Sequence, residues 1–120
     1  MTPIASGREL VAVLGGRRIG DYADVLELHL TREEASWTFL LTLRLATSDR
    51  TRELVIRLAG VRDFHVSEAG LQGVGGLFLD DIRDRQWDGV RWELGDCEAE
   101  RSLGCHASDL EVEVREGLTP

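Results

Sequence analysis

Hydrophobic side chains recur at every second position over most of this chain, and a period of two predicts strands rather than helices. From Asp24 onward Leu26, Leu28 and Leu30 fall on one face, with Val25, Glu27, His29 and Thr31 on the other. Trp37, Phe39, Leu41, Leu43 and Leu45 then alternate with Thr38, Leu40, Thr42 and Arg44. The polar stretch from Arg32 to Ser36 joins the two runs as a hairpin. After a turn over Ala46 to Arg50, Leu54, Ile56 and Leu58 alternate with Glu53, Val55 and Arg57 until Gly60 interrupts the pattern and marks a bulge. Phe64 and Val66 resume on one face against Asp63 and His65.

Glu68 to Gly76 holds four Gly in nine residues and reads as a loop. Leu77 to Ile82 follows as a strand, and the stretch from Asp80 to Gly89 is strongly acidic. Val90, Trp92 and Leu94 alternate with Arg91 and Glu93; Leu103 and Cys105 form a short strand; Leu110, Val112 and Val114 alternate with Glu111, Glu113 and Arg115. One helix breaks the period. Ser6 caps Gly7 to Leu14, Glu9 completes a capping box, and Gly15 stands in the stop position. About eight short strands and one short N-terminal helix predict a mainly β protein, an antiparallel sandwich or partly closed barrel.

At 120 residues the chain predicts a single β-rich domain over 1–120, long enough to bury roughly two-thirds of its unfolded surface. The first residues lack a basic segment followed by an apolar run, and no apolar run approaches a membrane span. A soluble, cytoplasmic protein with no membrane partner is therefore the expectation. The chain has no Lys and no Asn, whose codons are A-rich, pointing to a GC-rich bacterial genome. Without Lys, a P-loop, a Schiff base and Ser-x-x-Lys catalysis are excluded. Charge is uneven: residues 1–60 carry 8 Arg and 8 acids, whereas 61–120 carry 6 Arg and 14 acids, so the net −8 belongs to the second half. Summed charge of this kind steers association, and it implies a face suited to a basic partner. With a pI near 4.8 and no basic stripe, nucleic acid is not an expected partner.

The candidate chemistry is sparse. Gly70 to Gly76 resembles a phosphate-binding loop only in composition, since no helix pattern follows it. His29, His65 and His106 lie on the polar sides of their strands without the spacing of metal ligands. Cys97 and Cys105 are separated by seven residues, too far for a metal knuckle. Pairing 91–96 with 102–107 places Cys105 near Leu94 and Cys97 near Ser102, which predicts two free thiols; no cofactor or metal is expected. No Ser sits in a Gly-x-Ser-x-Gly elbow, and the Asp spacing lacks the ligand pattern of a calcium loop. What remains is an acidic candidate surface of Asp80, Asp81, Asp84, Trp87 and Asp88, joined by Glu93, Glu111 and Glu113, which project opposite Trp92, Leu110, Val112 and Val114. Trp among charges is a common hot-spot composition, whereas a solvated acidic turn and a charge-protected sheet edge are the bland alternatives.

Three stretches, Asp24-Val-Leu-Glu-Leu-His-Leu-Thr-Arg32, Thr38-Phe-Leu-Leu-Thr-Leu-Arg-Leu45 and Leu54-Val-Ile-Arg-Leu-Ala-Gly-Val61, resemble the immunity protein 50 family of bacterial polymorphic-toxin systems. Leu103-Gly-Cys-His-Ala-Ser-Asp-Leu-Glu-Val112 is similar to that family's closing strands. The chain departs from the family's pattern at Asp21-Tyr22-Ala23-Asp24, where relatives carry a His-Asp pair, and at Gln72-Gly73 in place of Gln-Asn. The resemblance implies a small β protein that is not an enzyme and that binds and neutralises a cognate toxin domain, which the acidic surface expects to be basic. A ligand-binding or hydrolytic β-barrel, using His29, His65 or His106 with carboxylates in a cavity, is the alternative of a different class.

Overall fold

In the computed structural model, residues 1–34, 37–68, 76–85, 89–96 and 103–116 are described. Eight antiparallel strands form one strongly curled half-barrel sheet with a single short helix. Of the two predicted architectures the chain takes the partly closed barrel.

The axis of the sheet is a long two-stranded ladder. Strand β4 (Glu53–Val66) runs 14 residues, and β7 (Leu103–Ala107) and β8 (Asp109–Arg115) follow one another along its edge. The pairing stays in step across the break: Ala59 faces Asp109 and Arg62 faces His106. At the break, Ser108 donates from both its backbone N–H and its hydroxyl to the Ala59 carbonyl, at 3.0 and 3.1 Å. β3 (Phe39–Ala46) pairs with the first half of β4 and with β2 (Asp24–Arg32). On the other side, β1 (Thr2–Ile4) pairs with β8, while β6 (Trp92–Gly95) pairs with β7 and β5 (Phe78–Asp81) with β6.

Three bulges bend this sheet. Between Leu58 and Val61 the β4 strand has one more residue than β3, and Gly60 there has φ +65°, a conformation open to glycine. Gly60 is thus the bulge that its interruption of the pattern predicts, and Phe64 and Val66 continue the same strand. A second extra residue in β4 lies between Arg62 and His65, with Asp63 at φ +54°. The third lies in β2, where Val25 faces Leu45 but Glu27 faces Arg44. It corrects the predicted face of that strand: Val25, Leu28 and Leu30 pack on the core, and Leu26 is the extra residue.

Helix α1 (Gly7–Leu14) forms as its capping signals predict. Ser6 accepts from the Glu9 N–H at 3.2 Å, Gly15 adopts the left-handed conformation, and the Glu9 carboxylate accepts from Ala5 N–H at 2.8 Å. Leu10 and Leu14 enter the same core as Leu41, Leu43, Ile56, Leu58, Val112 and Trp92 from the inner face of the sheet, and a 3-10 turn, Ile19–Asp21, delivers Tyr22 to it. The β1 strand was not legible from three residues. Trp37 was placed on the inner face of the second strand by its alternation, yet it is 89 % exposed, because β3 begins at Phe39. Its ring instead lies under the Arg32 guanidinium, 5.4 Å from the centroid. Among the described residues no helix is long and apolar enough to cross a membrane.

Candidate acidic site

Cross-strand register places one polar row across the outer face of the β4–β7–β6–β5 half of the sheet. Asp80 faces Glu93, Glu93 faces His106, and His106 faces Arg62. Period-two alternation puts these residues opposite the buried Leu79, Trp92, Leu94, Cys105 and Ala107. The bulge then adds a carboxylate that regular pairing would turn away. Displaced by the extra residue, Asp63 reaches His106 Nδ1 at 3.1 Å, while Glu93 holds Nε2 at 3.0 Å. Asp is one of the few residues that accept a left-handed backbone, which fits it to this position.

His106 is held between two carboxylates, with Asp80 beside Glu93. A protonated ring donates to both partners, a neutral ring to one. Both ring nitrogens lie within hydrogen-bond distance of a carboxylate oxygen. In the adjoining row Phe78, Gly95, Gly104 and His65 face one another in turn. His65 lies so close over Gly104 that a Cβ there would sit 2.5 Å from its Cε1.

The predicted acidic surface therefore divides. Asp80 and Glu93 share the outer row, whereas Asp81, one position along β5, turns to the other side. There it accepts from Gly7 N–H at 3.3 Å and from Arg83 Nε at 3.0 Å. Arg83 also donates to the Ala5 carbonyl, as does Arg91 at 3.0 Å, so Asp81 ties the N-terminal arm to the sheet. Asp84 is exposed in the 3-10 turn Arg83–Arg85. Glu111 and Glu113 lie on the outer face of β8 among basic residues: Glu111 opposite Arg57, and Glu113 accepting from Arg115 Nε at 2.6 Å. That half of the sheet is charge-balanced, with Arg44 bridging Glu27 and Glu53 at 3.0 and 3.2 Å. Trp87 and Asp88 lie outside the described residues, as do Cys97 and Gly70 to Gly75.

Hydrogen bonding by Arg83 holds the Asp81 carboxyl below its ordinary value of 3.8. A depressed folded-state value contributes stability above the unfolded pKa and loses it as pH falls through the folded one. Asp81→Asn is expected to lower stability at pH 7 and to flatten the acid limb of the stability curve below about pH 4, where wild type loses this contribution. Urea midpoints measured from pH 2 to 7 check this, and an acid limb identical to wild type would refute it.

His29 is exposed on β2 opposite Thr42, in the other half of the sheet from His65 and His106. Among the described residues no three His, Cys, Asp or Glu side chains converge as metal ligands. One depression of about 460 Å³ is bounded by residues 18–21 and 76–78, and another of about 390 Å³ by Pro3, Ile4, Ala5, Ala59, Arg91, Asp109, Leu110 and Glu111; neither is lined by a His. Cys105 faces Leu94, as the strand pairing predicted, and burial pushes its thiol up to about 12. No family model matches this chain, and neither does any curated protein or solved structure.

Proposed function

We propose that this chain is an immunity protein: a binding module without catalysis that covers a basic toxin domain with the outer face of β4–β7–β6–β5, in the cytoplasm of the cell it protects. The observation that carries the reading is the gathering of Asp80, Glu93 and Asp63 around His106 on one sheet face. Directly opposed like charges such as Asp80 and Glu93 cost a few tenths of a kcal/mol or more. A protein keeps such a cost where the field has a use, and an acidic surface accelerates encounter with a basic partner.

Co-expression with a toxin domain encoded by a neighbouring gene tests the reading: the proposal expects such a gene, and restored growth is the expected result. Loss of protection would require abandoning the immunity role. The structure also selects the variants. Asp81 is left intact because it anchors Gly7 and Arg83, and Asp80→Arg with Asp84→Arg changes only exposed charge. Association with the toxin domain should slow by about tenfold at low salt and lose most of its salt dependence. Unchanged kinetics would exclude the acidic-face mechanism.

A further inference from the structure

Strand β2 is a nine-residue edge. Among the described residues it pairs with β3 on one side only, leaving a row of backbone N–H and C=O groups on the other. Such edges are usually blunted by shortness, proline or a run of one charge. β2 has none of these, although the bulge at Leu26 interrupts it. Its inner side chains Leu28 and Leu30 pack on the core yet stay only partly buried, since among the described residues no strand lies along their outer flank.

The order of charges along β2 is self-complementary. Turning a second copy antiparallel about Leu28 sets Leu28 against Leu28 and Glu27 against His29. Residues directly opposed in an antiparallel pair share a face, so both copies present Glu27 and His29 outward and Leu28 inward. The same turn brings two further features together. Trp37, 89 % exposed beneath Arg32, meets the end of the second copy where Arg50 holds Asp24 at 3.2 Å. A nearly bare indole next to an open strand edge is a composition that interfaces use.

We propose that β2 is the interface of a homodimer, formed by antiparallel pairing of two copies about Leu28, with Trp37 at each end. The symmetry is isologous, so one patch serves both copies and the assembly stops at two. The interface is small, and association falls in roughly the micromolar range. The acidic row lies on the β5 side of the sheet, so this dimer does not depend on the proposed toxin-binding role.

Sedimentation equilibrium of the full chain over a dilution series reads the dimer directly. His29→Glu changes an exposed side chain and sets like charges opposite each other at two symmetric places. The dissociation constant should rise by about tenfold, with an unchanged monomer melting temperature. Glu27→His combined with His29→Glu restores the complementarity, and its dimer should return to within about threefold of wild type. A chain that stays monomeric up to millimolar concentration overturns the proposal. So does a dimer whose affinity ignores both variants, since it uses another surface.

Discussion

Gly60→Ala lowers the stability of this protein by about 2–4 kcal/mol, from two costs at one position. The backbone there has φ +65°, and an Ala held in the left-handed region costs roughly 1–2 kcal/mol. The added Cβ would also lie 2.1 Å from Ser108 Oγ and 3.0 Å from its Cβ, and Ser108 has little freedom to move. It sits at the break between β7 and β8 and bonds Ala59 through both its N–H and its hydroxyl. Gly60 N–H further donates to Glu33 at 3.2 Å, which couples the bulge to the β2–β3 connection. The two costs can be separated. Ser108→Gly removes the collision together with the hydroxyl's bond to Ala59, so Gly60→Ala is repeated in that background, where it should cost about half as much as in wild type. Urea unfolding at constant slope measures both, and a near-neutral Gly60→Ala would mean that the bulge is not rigid.

The features that could be read from the chain were those decided by neighbours in sequence. Helix α1 was legible because Ser6, Glu9 and Gly15 act within one or two turns. The β6–β7 register was legible because the pattern of 91–96 against 102–107 leaves few ways to count, and Cys105 does face Leu94. Bulges were the obstacle. Gly60 signalled its bulge by breaking the pattern, but Asp63 carried no signal that it would rejoin the face of His106. One extra residue at Leu26 brought Val25 to the core face in its place, while Leu28 and Leu30 stayed where alternation puts them. The arrangement of the candidate site was hidden in the same way. Period-two logic already sets Asp80 and Asp81 on opposite faces of one strand, but treating 80–89 as an acidic turn hid that separation. Glu111 and Glu113 share only a sign with Glu93; the pairing of β8 with β4 carries them to Arg57 and Arg115, which no local pattern announces.

The two tryptophans Trp37 and Trp92 show how far alternation alone can mislead about consequence, and substituting each by Ala gives the second large effect. Both stand at inward positions in their sequence patterns. Trp92 is 1 % exposed among Leu79, Leu94, Leu103 and Cys105, whereas Trp37 is almost bare. Trp92→Ala should cost about 3–5 kcal/mol, from lost burial and the cavity left behind, with a melting temperature lower by roughly 10–20 °C. Trp92→Phe keeps much of that volume and should cost less than half as much. The loss also bears on the acidic row. β5 and β6 have four residues each, so their attachment to the core rests on few side chains, and Asp80 and Glu93 ride on the opposite face of those strands. Partner affinity should therefore fall in Trp92→Ala even at temperatures where the core remains folded. Trp37→Ala should change monomer stability by no more than about 0.5 kcal/mol. A comparable thermal loss in both variants would contradict the placement of Trp37 outside the core, and with it the reading of its exposed ring as a surface made for contact.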